Sequence, residues 1–244
     1  MSTSIRPLPG TTIEPLYPDS DGVPIGETDY HILATGHLFF ALKRWYRKQK
    51  DVHVAGNMLL YYEEGNPNAF RGPDVMVSKG VVGNHLRRSF RTWEEGVVPA
   101  VIIEVTSKKT RKEDQVEKPP LYSALGVKEL VLFDPTGDYL RPRLKGFRLV
   151  GQKYVPMKPD KDGRLFSAEL GLSLEVEDYL LRLIDPATGT RLPTDEELDD
   201  AASLARKAAQ KAKREAKAAK RRAAELETEL AQFRGLRPAG NKGK

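Results

Sequence analysis

Two short apolar runs, Val101-Ile102-Ile103-Glu104-Val105 and Leu130-Val131-Leu132-Phe133, constrain this chain more than any other feature. Neither alternates apolar with polar residues, so each needs cover on both faces, as strands at the centre of a helix-flanked sheet do. Residues 108–125 between them have helical character and end at Gly126, so residues 100–134 read as a strand, helix, strand crossover with parallel strands. That pattern predicts an α/β domain. Inside the first run, Glu104 stands among Ile102, Ile103 and Val105, where a carboxylate has to leave water at high cost. A metal ion would offset that cost.

The flanking sequence supplies further elements. With Thr28 or Asp29 as N-cap, the stripe Tyr30, Ala34, Leu38, Ala41, Trp45 predicts an amphipathic helix to about Lys48. Residues 52–55, 57–62 and 73–78 are β-branched or aromatic runs bounded by Gly, Pro and Asn, and read as strands. After Pro135, a Thr-Gly-Asp turn leads into alternating residues up to Met157 that suggest peripheral hairpin strands. Residues 1–28 have no apolar period and read as an extended arm before a domain at 29–190.

The tail obeys a different rule. Thr194 and Glu197 form a capping box, and from 195 to 234 the chain runs without Gly or Pro. Leu198, Ala202, Ala205, Ala209, Ala212, Ala216, Ala219, Ala223, Leu226, Leu230 and Phe233 alternate at four and three, a heptad seam. Alanine buries little area, so the segment is either a weak coiled coil, giving a weak homo-oligomer, or a single exposed helix. Residues 235–244 read as a disordered tail.

Charge follows the same division. Of the net +6, residues 206–222 carry +8 and those beyond add +1, leaving residues 1–205 at −3. The chain is a mildly acidic body with a basic tail, and the tail is its dense cationic stretch. The absence of cysteine excludes disulfides, thiolate catalysis and sulfur-ligated zinc, and His31, His37, His53 and His85 form no HExxH pair. A metal would be held by carboxylates and carbonyls, which suits a hard ion such as Mg²⁺ or Mn²⁺. No GxxxxGK[ST], GxGxxG or GxSxG motif occurs, so nucleotide hydrolysis, dinucleotide binding and α/β-hydrolase chemistry lose their usual support. With no run of 18 apolar residues and no signal-like start, a cytoplasmic protein without membrane partners is expected.

Asp74 opens another apolar strand in GPDVMVS, and two carboxylates at the ends of neighbouring strands, Asp74 and Glu104, make a natural two-oxygen site. Taken singly, each acid also reads as a strand-end carboxylate satisfied by backbone N–H or Arg. Taken in order, GPDVMVS, VIIEVTSKKTRKEDQ, the Lys118 to Tyr122 segment, LGVKE at 125–129 and LFDP at 132–135 resemble the Uma-type putative restriction endonuclease family of the PD-(D/E)XK nuclease superfamily. ETDYH at 27–31 and YYEEGNP at 61–67 are similar to family segments too, so the resemblance spans roughly residues 20–190.

The resemblance implies a mixed sheet flanked by helices, here followed by a long C-terminal helix or coiled coil, and a Mg²⁺-dependent endonuclease acting on DNA. Carried over, the metal set is Asp74, Glu104 and the carbonyl of Val105. The superfamily's Lys stands two residues after the Glu, but that position here is Thr106, and the similarity implies that Lys118 takes over beside the attacking water. Asp114 and Lys118 share one face of an unbroken helix, but Pro119 and Pro120 predict a break or kink beside Lys118.

Supporting candidates are Glu27, His31, Ser107 and Asp114. His31 reads either as a group near the metal or as a helix-start histidine bonding a carbonyl, and Glu27 either as a third metal acid or as a first-turn acid suited to the helix dipole. Lys108, Lys109, Arg111, Lys213, Arg214, Lys217 and Arg221 are candidates for nucleic-acid contact, with solvated loop or helix charges as the alternative. The competing function is a catalytically inactive nuclease-fold protein that binds nucleic acid or serves as a scaffold.

Overall fold

The computed structural model describes residues 17–18, 27–83 and 85–235. The rest of the arm expected at 1–28 and the tail beyond Gly235 lie outside the described residues.

Helix α1 (Asp29–Trp45) starts at the N-cap Thr28, whose hydroxyl accepts the His31 N–H, and carries Lys43 and Arg44 in its last turn, where cations suit the dipole. It buries Ala34, Leu38 and Ala41 as the stripe predicts. Tyr30 is the exception: it is exposed and stacks edge-on against Tyr179. The helix also stops short of Lys48.

Strands β1 (Val52–Gly56), β2 (Leu60–Tyr61), β3 (Phe70–Arg71), β4 (Val75–Lys79) and β5 (Phe90–Arg91) precede a single turn, α2 (Thr92–Glu95). The run at 57–62 shrinks to the two residues of β2, which pairs only with the equally short β3 and β5. Then come β6 (Val101–Val105), helix α3 (Lys118–Leu125), β7 (Glu129–Phe133), and the hairpin β8 (Leu144–Val150) and β9 (Lys153–Pro156). They build a six-stranded sheet in the order β1-β4-β6-β7-β8-β9, antiparallel throughout except for the parallel β6–β7 pair.

Strands β6 and β7 are buried at every position. Val101, Ile103 and Val105 join the core on the α1 side, while Ile102, Leu130 and Leu132 join a second core with Tyr122 and Val127. Alternate side chains therefore enter opposite layers, each worth about 1.5–3 kcal/mol of burial, which is why the apolar runs are unbroken. Gly126 closes α3 with φ +89°, a left-handed turn that lets the chain reverse into β7.

A further three-stranded sheet, β10 (Leu165–Ser167), β11 (Leu172–Glu177) and β12 (Leu180–Ile184), is missing from the sequence-based expectations. Its Leu172, Leu174, Leu181 and Leu183 complete the α1-side core. Buried Glu129 anchors it: its carboxylate accepts from Ser167 Oγ, from Ala168 N–H at 3.1 Å and from Arg148 Nη2 at 2.9 Å. This second acid in an apolar strand is fully satisfied and is structural.

Helix α4 (Asp195–Gly235) is 41 residues long. Its capping box is reciprocal, Glu197 N–H donating to Thr194 Oγ1 at 3.1 Å and Thr194 N–H to Glu197 Oε2 at 2.8 Å. Residues up to Leu192 form one compact unit and those from Pro193 a second. No described helix is long and apolar enough to cross a membrane.

Candidate active site

The β4–β6 register pairs Val75 with Ile103, so Asp74 falls opposite Glu104 at the strand ends and both acids share the α3 face. Each acid accepts from the neighbouring strand's backbone: Asp74 Oδ2 from the Val105 N–H at 2.7 Å, and Glu104 Oε2 from the Asp74 N–H at 3.4 Å. Asp74 thereby caps Val105, which lies beyond the last β4–β6 pair.

Between β6 and α3 the chain does not break. A π-helical turn, Glu113–Glu117, runs into α3, and the Lys118 N–H donates to the Glu113 carbonyl five residues back. The break expected from Pro119 and Pro120 does not occur; the local disruption beside Lys118 takes the form of a wider turn. Each proline ring would collide with the carbonyl four residues before it, and a five-residue hydrogen-bonding step relieves that collision while staying helical. The inward face of this run presents Asp114, Lys118 and Tyr122, all buried. Lys118 Nζ lies 2.8 Å from Asp114 Oδ1 and 2.9 Å from Glu104 Oε2, and the Tyr122 hydroxyl donates to Glu104 Oε1 at 2.8 Å. Tyr122 is a site residue that sequence reasoning missed, although the spacing 114, 118, 122 carried the signal.

From the opposite layer, His31 reaches the pair. Its Nδ1 is 3.1 Å from Glu27 Oε2 and its Nε2 is 3.2 Å from Asp74 Oδ1, so the imidazole bridges two carboxylates instead of bonding a carbonyl. Glu27, Asp74, Glu104 and Asp114 thus meet one lysine and one histidine. Thr106, at the position of the superfamily lysine, is buried, and its Oγ1 has no hydrogen-bond partner among the described residues. Ser107 exchanges hydrogen bonds with Thr110 at the start of the helical run. Lys108, Lys109 and Arg111 are exposed nearby. A cavity of about 180 Å³ opens beyond the carboxyl ends of β6 and β7, lined among others by Glu27, His31, Thr106, Ser107, Lys108 and Lys109. That is where ligands enter open α/β sheets.

Burial dominates the proton affinity of the acids. Burial pushes Asp74 up to about 7, with Asp114 and Glu27 adding to the shift and Lys118 and the Val105 N–H opposing it. Burial likewise pushes Glu104 up to about 8, with Lys118 opposing and Asp74 and Asp114 adding. For Lys118, burial alone would lower the ammonium's pKa, but the Glu104 and Asp114 carboxylates outweigh it and hold the group charged. Asp114 Oδ2 is buried without a hydrogen-bond partner among the described residues. Four acids around one lysine and one histidine leave the pocket short of positive charge.

A stability prediction follows with a definite sign. Unfolded Asp and Glu titrate near 4. Between that value and about 7 to 8 the folded state binds more protons than the unfolded one, so stability falls as pH rises. His53, which burial and then Arg87 push down to about 4, has the opposite slope, but only below about 6.5. In metal-free protein the melting temperature is therefore expected to drop from pH 6.5 to 8.5, and the Asp74→Asn, Glu104→Gln double variant to be flatter. Parallel profiles for parent and double variant would overturn this account.

Among the described residues no three acidic or histidine side chains form a preformed metal cage. Two carboxylates suffice for Mg²⁺, which keeps several waters and substrate phosphate oxygens in its shell. The donor set and its charge deficit fit such an ion.

Comparison with known proteins adds the following. The family model Uma2, described as "Putative restriction endonuclease", matches residues 19–183. A solved structure of a putative nuclease belonging to DUF820 from Anabaena variabilis is similar at 12% identity and a TM-score of 0.46, covering 60% of this chain and 76% of its own. No curated protein matches. Since the matched span encloses Glu27, His31, Asp74, Glu104, Asp114, Lys118 and Tyr122 together with the whole six-stranded sheet, the chain belongs to the Uma2 family of putative restriction endonucleases.

Proposed function

We propose that the chain is a Mg²⁺- or Mn²⁺-dependent endonuclease acting on DNA. The observation that carries the reading is the convergence of Asp74, Glu104 and Lys118 in a buried pocket with surplus negative charge, next to an open cavity. Asp74, Glu104 and the Val105 carbonyl would hold the ion. When bound, it would polarise the scissile phosphate and make an attacking water more acidic.

The chain's own residues do the rest. Lys118 stays protonated, so it serves as a fixed positive charge for the developing phosphorane and not as a base. Asp114 holds that ammonium in place, and Tyr122 fixes the Glu104 carboxylate by its other oxygen. Glu27 orients His31, and His31 abuts Asp74. Lys108 and Lys109 at the cavity lip, with Arg111 exposed on the following turn, would meet backbone phosphates. The alternative of an inactive scaffold drew on Thr106 and the double proline. The π turn that brings Lys118 Nζ to Glu104 favours the catalytic reading.

The test is a cleavage assay over single- and double-stranded DNA and RNA, in Mg²⁺ or Mn²⁺ against EDTA, with Glu104→Gln beside the parent. Metal-dependent cleavage of DNA that the variant loses is the expected result. No cleavage on any substrate overturns the enzyme reading, and cleavage of RNA alone overturns the substrate.

The basic helix should add affinity. Deleting residues 195–244 is expected to weaken DNA binding and flatten its salt dependence, each lost phosphate contact removing about 0.9 from the log–log slope on duplex DNA. Titrations at two salt concentrations measure both. Equal affinity and slope would assign phosphate contact to the body and leave Lys213, Arg214, Lys217 and Arg221 as solvated charges.

A further inference from the structure

The seam of α4 lies in the open: Leu226 is 47% exposed, Leu230 56% and Phe233 74%. With Leu198 at d and Ala202 at a, the following a and d positions run without a stutter to Phe233 at d. The flanking charges are not arbitrary with respect to this phase. Glu215 and Arg222 fall at g, and Lys220 and Glu227 at the e positions that a parallel partner in register would set against them. Each g residue meets an opposite charge, while Ala201 and Ala208 at the two earlier g positions face Arg206 and Lys213. No g–e contact between residues 201 and 227 is like-charged. An antiparallel full overlap would instead set Lys213 against Lys220 and spread Leu226, Leu230 and Phe233 over alanines.

We infer that α4 pairs with α4 of a second copy of this chain as a parallel, in-register two-stranded coiled coil clamped at its Leu226–Phe233 end. Grouping the bulky layers concentrates the buried apolar area where the seam has any to bury. The Ala202–Ala223 stretch lets the backbones run close without adding much attraction, so the pairing is reversible. Lys207 and Arg214 fall at f, on the outside of the pair and open to phosphate, while Arg221, also at f, pairs with Glu225 of its own helix. The inference does not depend on the nuclease reading, because it uses only α4.

The experiment uses the full chain, which has no cysteine. Ala205→Cys sits at a d position, where the two Cα atoms of a parallel pair fall within the roughly 4.4–6.8 Å span of a disulfide. Mild oxidation is expected to give a covalent dimer, and sedimentation of the parent to show one- and two-chain species whose ratio shifts with concentration. Leu226→Ala with Leu230→Ala should leave a monomer. Glu215→Lys should weaken the dimer by about tenfold, and Lys220→Glu on the same chain should restore it. Antiparallel pairing, seen as cross-linking only between Ala205→Cys and Leu230→Cys chains, overturns the inference. So does a parent that stays monomeric at every concentration, or a larger assembly.

Discussion

Glu104→Gln is expected to lower metal-dependent cleavage at least on the order of 10²–10³-fold, the loss typical when one preorganised electrostatic group is removed from an active site. The side chain keeps its size, and its amide oxygen can still accept from Tyr122 or Lys118, while Lys118 retains Asp114. The fold should therefore persist. Taking a buried charge away from Asp74 should even steady the metal-free protein above pH 7. Single-turnover cleavage beside a thermal melt separates the two effects. A folded variant that cleaves like the parent would place the reacting phosphate elsewhere.

Lys118→Met should strike both function and stability. The variant removes the one lysine that Glu104 and Asp114 share, leaving buried carboxylates facing each other, and breaking a buried ion pair from one side costs about 3–5 kcal/mol. For a domain of this size that corresponds to a melting temperature lower by about 10 °C. The loss should shrink as pH falls, because protonated Glu104 needs no counter-charge, and it should shrink on adding Mn²⁺. Cleavage should fall by about 10²–10³-fold even at temperatures where the variant is fully folded. Stability unchanged at pH 8 would mean that Lys118 is not the cation holding the acids together. Parent-like turnover with Lys108→Ala inactive would move the role to the loop.

The sequence by itself determined the layered core and the acids that matter in it. An unbroken apolar run needs cover on both faces, so β6 and β7 were legible as central parallel strands from Val101–Val105 and Leu130–Phe133 alone. A carboxylate inside such a run is expensive enough to stand out, which singled out Glu104. Capping chemistry is local, so Thr28 and the Thr194–Glu197 box were readable in place.

Only the tertiary structure decided what satisfies each acid, since that depends on partners far apart in the chain. Glu129 stands in an apolar strand like Glu104, but Arg148, Ser167 and Ala168 complete it, so it is inert. Those partners lie on the edge hairpin and the β10–β12 sheet; the alternation Leu172-Ser173-Leu174-Glu175-Val176-Glu177 marks β11 as a half-buried strand, but no local signal tells which acid that sheet comes to cover. Pro119 and Pro120 argued for a break because proline excludes an ordinary helical hydrogen bond. The packed site instead shows a π turn that keeps the chain helical and aims Asp114, Lys118 and Tyr122 at Glu104. His31 shows the same division: its place at a helix start was local, but its bridge from Glu27 to Asp74 exists only because α1 lies across the end of β4. Local spacing selects the elements, and long-range packing selects the neighbours that set a side chain's charge and role.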